Sequence, residues 1–449
     1  MPARDRALWA LAAILSTALL IAPALWNGFA LLQYDTGGYL ARWYEGTLVP
    51  SRAVVYGLIL TAGVPLSFWP VLLVQAAATV WIVALTLRAH GLGQRPLPLF
   101  SIVAALSLLT TLPWLTSILL TDIFAGLSVL ALYLVVMRGD ALSRRERIGL
   151  SVLIAVAAAT HSATLAVLLA LMLAAVLHFL VDRRRSRIVG IWRGLIALML
   201  GTAMVFTADF IVAKRLAWTP GGFALSFGRM LQDGIVKKYL DRHCPDPALQ
   251  LCAHKDQLPD DADVWFWGSK LFDQLGRFAG LGHEMEKIAV ASVIDYPVLQ
   301  AKTAAIATAR QLIAVHTGEG VLTTIWHTYG IMEKFTPQLV PAMHAARQQQ
   351  GEISFTAINA LQYPLALISM ALLPVIVVLS WRRTIPAALG EFAAAVALAL
   401  LANAFVCGAL SNPHDRYGAR MVWLAAFAVM LAALTRQRAD RLGPLTDLA

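Results

Sequence analysis

The sequence predicts an all-α polytopic membrane protein. Of its 449 residues, 59% are hydrophobic and only 14% are charged, and its mean hydropathy is +0.69. Soluble globular chains are nearer 45–50% apolar and about 25% charged. Several windows of about twenty residues carry no fixed charge, which is the length that a helix needs to cross about 30 Å of hydrocarbon. The formal charge of +10 lies largely between these windows, so it indicates membrane topology and not a nucleic-acid partner.

The N-terminal part holds one full span and one shorter apolar segment. The run at about 8–32 is too long for the hydrophobic region of a signal peptide, and it is predicted to be the first transmembrane helix. Segment 53–67 is apolar but short, and Gly57, Gly63 and Pro65 interrupt it. It is therefore predicted to be re-entrant or juxtamembrane, not spanning.

Nine further spans bring the prediction to about ten. Two apolar runs are too long for single helices at 1.5 Å per residue, so each is predicted to form a helical hairpin. The hairpins are 96–137, with a break at Pro113, and 148–181. The single spans are 68–87, 188–212, 357–380, 386–409 and 420–435.

Positive charge predicts the orientation of these spans. With the N-terminus in the cytoplasm, most of the basic residues of the short connections are cytoplasmic. Only four arginines of the short connections then lie outside, namely Arg42, Arg52, Arg416 and Arg420. The prediction is therefore a bacterial inner-membrane protein with both termini in the cytoplasm.

Three parts follow from this arrangement. An N-terminal transmembrane module covers 1–213, a long polar region covers 214–355, and C-terminal transmembrane helices cover 356–449. The polar region is expected to be a small helical periplasmic subdomain, because it contains an alanine-rich apolar run at 288–315. Its Trp-Phe-Trp cluster at 265–267 is interpreted as a membrane-interface anchor, with stacking on a sugar as the alternative.

Two cysteines in the polar region support the same compartment. Cys244 and Cys252 are eight positions apart and are predicted to form a disulfide in an oxidising periplasm. The flanking His243 and His254 make a zinc site the lesser alternative, because the spacing fits no zinc-finger pattern.

Ionisable residues from different spans collect at the outer membrane surface under this topology. Such residues are costly near the membrane and usually face a cavity or a partner. The collected residues are Asp35, Asp122, His161, Asp209, Lys214, Arg215, His414, Asp415 and Arg416.

Several of these residues also have a purely structural interpretation. Asp35 could cap a short helix at 36–44, and Asp122 could serve only as a partner of its helix dipole. His161 could be a solvated polar residue in a hairpin turn. Arg416 is the stronger candidate, because its guanidinium group matches phosphate oxygens and lies where arginine is scarce.

Three short motifs carry a resemblance to a known family. They are 34–42 (YDTGGYLAR) after the first span, 120–124 (LTDIF) at the start of a span, and 414–417 (HDRY) before the last span. Together with the topology, they resemble the membrane-embedded C-type glycosyltransferases, which use polyprenyl-phosphate sugars. Many members place two adjacent acids in the first outer loop, whereas here Asp35 stands alone and Glu45 is the next acid. No cofactor is therefore assigned, and a requirement for a divalent metal is left open.

The resemblance implies transfer of a sugar from a polyprenyl-phosphate donor to a glycan, lipid or protein acceptor, on the periplasmic side of the inner membrane. Asp35 would act as general base and Asp122 would assist or position the acceptor. Arg416 would hold the phosphate and stabilise the leaving group. The candidate substrate-binding residues are Arg416, His161, His414, Tyr417 and Tyr34.

Two alternatives remain at this stage. An O-antigen polymerase or ligase-like enzyme would depend on basic residues of the long loop, such as Arg229, His243 or His283. A lipid or glycan flippase is the other alternative, although the two halves of the chain show no obvious repeat.

Overall fold

The protein is described from a computed structural model that covers residues 3–181, 185–216 and 222–442. Within these ranges the chain is helical and contains no β-strand, only two isolated bridge pairs. The end of the predicted C-terminal part, 443–449, lies outside the described residues.

The described helices fall into three groups along the chain. The first group is α1 (Ala3–Leu20), α2 (Ala22–Asn27), α3 (Thr36–Glu45), α4 (Val54–Gly63), α5 (Trp69–Ala89), α6 (Pro96–Leu109), α7 (Leu112–Ser117), α8 (Asp122–Met137), α9 (Arg144–Thr160), α10 (Ser162–Val181) and α11 (Arg185–Ala213). The second group is α12 (Gly222–Gln232), α13 (Ile235–His243), α14 (Lys270–Gln274), α15 (Arg277–Asp295), α16 (Pro297–Ile313), α17 (Trp326–Phe335) and α18 (Val340–His344). The third group is α19 (Thr356–Trp381), α20 (Ala387–Ala404) and α21 (Asp415–Leu442).

Short helical turns complete these elements. The 3₁₀ turns are Val64–Leu66, Gly139–Ala141, Gln250–Gln257 and Pro337–Leu339, and the π turns are Val264–Gly268 and Phe405–Ala409.

Six helices in the described part are long and apolar enough to cross a membrane. The chain is therefore an all-α, multi-pass membrane protein, as the composition predicts. The six are Trp69–Ala89, Ser162–Val181, Arg187–Ala213, Thr356–Trp381, Ala387–Ala409 and Asp415–Arg438. Shorter apolar helices are Val54–Leu66, Pro96–Leu109 and Asp122–Met137.

Local sequence signals explain where several helices begin and end. The breaks predicted in both long apolar runs are present, one between α6 and α8 and another at His161 between α9 and α10. Helix α9 begins with a capping box in which Ser143 and Glu146 satisfy each other's backbone N–H groups. Helix α16 begins at Pro297, as predicted, because proline is well suited to the first helical position.

The predicted single helix at 8–32 is wrong. Helix α1 ends at Leu20, and α2 ends at Asn27 before Gly28 in the left-handed conformation. The residues that follow form an extended strap, 29–34. Within the strap, the Leu31 N–H donates to the Ser117 carbonyl at 2.9 Å. Hydropathy alone did not separate a buried extended segment from a helix.

A second hydrophobic core lies within 224–299, in the region between α11 and α19. This core covers fewer residues than the predicted region 214–355, because later residues such as Val321 and Ile325 belong to the main core. A disulfide joins Cys244 to Cys252 beside the second core.

The predicted role of the Trp-Phe-Trp cluster is wrong for two of its three residues. Trp265 is fully buried and Phe266 is 4% exposed, because both fill the second core. Only Trp267, which is 64% exposed, is available to a membrane surface or a ligand.

Candidate functional site

Asp35, Asp122 and Arg416 meet in the interior of the protein. Arg416 Nη1 donates to Asp35 Oδ2 at 2.6 Å, although the two residues are 381 positions apart. Arg416 Nε lies 3.3 Å from Asp122 Oδ2. All three residues are buried. The structure therefore brings together the three residues that the motifs single out.

The strap and the start of α3 position Asp35. The Gln33 N–H donates to Thr36 Oγ1, and Thr36 Oγ1 donates to the Leu119 carbonyl, each at 3.0 Å. Thr328 Oγ1 donates to the Gln33 carbonyl at 2.9 Å. Asp35 occupies the N-cap position of α3, but its side chain makes no capping hydrogen bond. The alternative in which Asp35 merely caps a helix is therefore wrong.

Arg52 and Arg420 belong to the same cluster, although the motifs did not identify them. Arg52 Nη2 donates to Asp35 Oδ1, so that both oxygens of Asp35 bind arginines. Arg420 is fully buried, and its Nε and Nη2 donate to Asn403 Oδ1 at 3.1 and 2.6 Å. Its Nη1 lies 3.8 Å from Asp122 Oδ1. The scarcity of arginine on this side was the sequence signal that could have found both.

Not every basic residue predicted on this side joins the cluster. Arg42 pairs with Glu45 at 2.7 Å and with Thr47. Lys214 and Arg215 are exposed at the end of α11. The cluster is therefore selective. Of the four arginines predicted on this side, Arg52, Arg416 and Arg420 pair with the two aspartates.

The aromatic and histidine candidates surround Arg416 and Arg420. The Arg416 guanidinium carbon lies 5.9 Å from the Tyr34 ring centre and 4.9 Å from that of Tyr417, within cation–π range. His161 Nδ1 lies 3.4 Å from Arg420 Nη1. His161 thus contacts the cluster from the α9–α10 turn and is not merely a solvated turn residue.

His414 supports Arg416 indirectly. Its Nδ1 lies 2.7 Å from Glu319 Oε1, and its Nε2 lies 3.4 Å from Asp263 Oδ2. The other Glu319 oxygen accepts from the Arg416 backbone N–H at 2.6 Å. Burial lowers the pKa of His414, but Glu319 outweighs this effect, and the pKa is raised above its usual value. His414 therefore holds the start of α21 in place through Glu319. The resemblance instead implies that His414 binds the donor phosphate directly.

The cluster has unequal charges and unsatisfied atoms. Burial raises the pKa of Asp35, but Arg52 and Arg416 outweigh it and hold the pKa below the usual value. In formal charge, the three arginines exceed the two aspartates by one, and the neighbouring Glu319 is paired with His414. Both Asp122 oxygens, Arg416 Nε and Gln33 Nε2 are buried without a hydrogen-bond partner. Leaving such groups unmatched costs about 1–3 kcal/mol each. An anionic ligand would satisfy the two donors, Arg416 Nε and Gln33 Nε2, whereas the Asp122 oxygens need a hydrogen-bond donor.

Two small cavities flank the cluster, each of about 30 Å³. That volume has room for one or two water molecules. One cavity is lined by residues that include Gln33, Trp114, Asp122, Glu319 and Arg416. The other is lined by residues that include Ser51, Arg52, Thr160, His161, Ser162 and Asp209.

The donor set does not fit a divalent metal. In the described part of the chain, no group of three His, Cys, Asp or Glu residues is arranged to hold a metal ion. Both oxygens of Asp35 already accept from guanidinium groups, and Arg416 lies between Asp35 and Asp122.

Two of the three loop residues expected for a polymerase or ligase-like site, Arg229 and His243, make structural contacts. Arg229 donates to Asp233 at 2.6 Å, to Thr303 at 2.9 Å and to Gln300 at 2.5 Å, which ties α12 to α16. His243 stacks on Tyr239 with ring centres 4.0 Å apart.

The chain matches no family model, no curated protein and no solved structure. Its function is therefore inferred from the site itself.

Proposed function

We propose that this protein is an inner-membrane glycosyltransferase that moves a sugar from a polyprenyl-phosphate donor to an acceptor outside the cytosol. The observation that carries the proposal is the convergence of Arg52, Arg416 and Arg420 on two buried aspartates with a net charge of +1. A buried cationic cluster in a multi-pass membrane protein suits a lipid-linked phosphate.

The arginines would bind the donor phosphate and stabilise the charge that develops on it. Arg416 Nε is an unsatisfied buried donor, and neither Arg416 nor Arg420 is hydrogen-bonded to Asp122. Arg416 Nε faces Asp122 as an ion pair at 3.3 Å and makes no hydrogen bond, so its N–H is the donor that would bind a phosphate oxygen. Donors fixed in a low-dielectric site stabilise developing charge more strongly than donors in water.

Asp35 would position these arginines. Both of its oxygens accept from guanidinium groups, and its pKa is lowered, so it is a weak proton acceptor. This assignment replaces the base role that the resemblance implies for Asp35. Asp122 would balance Arg416 and Arg420 from the other side.

The site would lie at the outer end of about ten spans, with both termini in the cytoplasm. Arginines at the opposite end of the bundle support this orientation, because cytoplasmic segments are rich in basic residues. Two of them, Arg138 and Arg187, each pair with Glu391 at 2.8 Å. Arg88 pairs with Glu146 at 2.6 Å in the same region. Helices α1, α6, α8 and α9 would supply the four spans beyond the six long apolar helices.

Binding of polyprenyl phosphate to the purified protein, compared with uncharged polyprenol, tests the phosphate site. Arg416→Gln removes two or more charged hydrogen bonds worth about 1.5 kcal/mol each, so binding should weaken about 100-fold. The matched control is Arg347→Gln, which removes an exposed arginine paired with Glu352 and should leave binding unchanged. Equal binding of polyprenol and polyprenyl phosphate by the wild type would refute the phosphate site.

Transfer itself is tested in membrane vesicles with radiolabelled polyprenyl-phosphate sugars. The wild type should form a new glycosidic bond, and Arg416→Gln should reduce product formation at normal protein level. A flippase would instead move labelled lipid across the membrane without forming such a bond.

A further inference from the structure

Asp209 is a buried carboxylate in a membrane span that the arginine cluster does not use. It lies near the C-terminal end of α11 and is 5% exposed. It has no hydrogen-bond or ion-pair partner among the described residues, unlike Asp35 and Asp122. Ionisable groups within membrane spans are costly, and they are usually paired or functional.

The cavity beside Asp209 shares a wall with the arginine cluster. Arg52 lines this cavity and also binds Asp35. His161 lines it as well and contacts Arg420. The remaining polar lining comes from Ser51, Thr160 and Ser162. The cavity therefore presents polar groups within a partly apolar lining, borders the proposed phosphate site and has room for a hydroxyl group.

The three buried aspartates at this end differ in their counter-charges. Two arginines lie within 4 Å of each of Asp35 and Asp122, so both carboxylates have fixed counter-charges. Asp209 has no such cation within that distance. A carboxylate without a fixed counter-charge, beside a cavity that can hold a hydroxyl group, has the features of a general base.

Resting on the proposed function, we propose that Asp209 is the proton acceptor for the hydroxyl group of the acceptor substrate. The hydroxyl oxygen forms a bond to the anomeric carbon of the donor sugar. The bond between that carbon and the donor phosphate oxygen breaks, and its electron pair stays on the phosphate beside Arg52 and Arg416. The hydroxyl proton passes to the Asp209 carboxylate. The second substrate is thus an alcohol of a glycan or a lipid, whose hydroxyl group reaches this cavity.

Two measurements on three variants test this assignment. Asp209→Asn, Asp209→Glu and Asp209→Ala are compared for sugar transfer in membrane vesicles and for polyprenyl-phosphate binding by purified protein. Glu391→Gln is the matched control, because it also removes one carboxylate from a membrane helix but lies at the other end of the bundle. All rates are expressed per amount of folded protein.

The expected results separate a base from a structural residue. Asp209→Asn should lower the transfer rate by at least about 100-fold, the size typical of a lost general base, with polyprenyl-phosphate binding unchanged. Asp209→Glu should recover part of the rate. Added formate should accelerate Asp209→Ala but not Asp209→Asn, because only the alanine variant leaves space for a small carboxylate. Glu391→Gln should keep the wild-type rate.

Three other results would overturn the assignment. If the wild type is active and Asp209→Asn stays within about threefold of it, Asp209 is not the base, although the glycosyltransferase proposal stands. Loss of activity in all three variants without rescue by formate would show a structural residue. Failure of the wild type both to bind polyprenyl phosphate and to transfer sugar would overturn this assignment together with the proposed function.

Discussion

The pairing of Asp35 with two arginines predicts an unequal effect of two substitutions. Asp35→Asn keeps the shape of the side chain but leaves Arg416, whose side chain is 8% exposed, without its closest counter-charge. Removing one partner of a buried ion pair costs about 3–5 kcal/mol. Arg52→Gln should cost less, about 1.5–3 kcal/mol, because the Arg52 side chain is 16% exposed and Asp35 keeps Arg416. Asp35→Asn should therefore be the more destabilising change.

Unfolding of the detergent-solubilised protein by increasing SDS measures both effects. The double variant Asp35→Asn/Arg52→Gln should be less destabilised than the sum of the single variants, by about 0.5–3 kcal/mol, because the residues are in contact. Glu352→Gln removes an exposed pair with Arg347 and should cost less than about 1 kcal/mol. Strict additivity, or an effect of Asp35→Asn no larger than that of Glu352→Gln, would refute the pairing of Asp35.

Two further predictions concern the segment that presents Arg416. Since Glu319 raises the pKa of His414, their pairing should stabilise the fold fully below about pH 6.5 and lose that contribution as pH rises through the raised pKa. Thermal unfolding of the wild type and of His414→Gln between pH 6 and pH 9 checks this, and parallel curves for the two proteins would contradict it. Gly418→Ala should destabilise by about 1–3 kcal/mol, because a Cβ there would lie 2.0 Å from the Ala314 carbonyl oxygen. Gly330→Ala, whose Cβ would meet nothing within 4 Å, is the control, and equal SDS midpoints for both variants would contradict the close packing.

Local signals in the sequence predicted much of the fold. The breaks near Pro113 and at His161, and the helix start at Pro297, follow from turn and capping chemistry that acts over a few residues. The extended strap before Asp35 was missed, because its apolar residues are buried by contacts with 117–119 and not by a helix of their own. Trp265 was missed for the same reason, since the core that buries it is built from distant helices.

The candidate site was predicted only in part, for a related reason. Charge asymmetry between the two membrane surfaces placed Asp35, Asp122 and Arg416 on one side. Which arginine pairs with which aspartate depends on the path of the connecting loops. For example, the loop after α3 returns the chain so that Arg52 pairs with Asp35. The same dependence explains His414, whose role is set by Glu319, a loop residue 95 positions earlier.

A comparison of the two ends of the bundle shows why the arginine cluster is more than a structural ion pair. At one end, each oxygen of Glu391 accepts from one arginine, Arg138 or Arg187, and none of these three has a buried polar atom without a partner. At the other end, Asp35 is satisfied in the same way, but Asp122 and Arg416 keep buried atoms without partners. The arginines exceed the carboxylates by one at both ends, so the two ends differ in their unmatched atoms and not in their excess charge. Under the proposed function, Arg416 Nε is the unmatched donor that a phosphate would use, whereas the Asp122 oxygens are acceptors that need a hydrogen-bond donor, such as a hydroxyl group of a substrate.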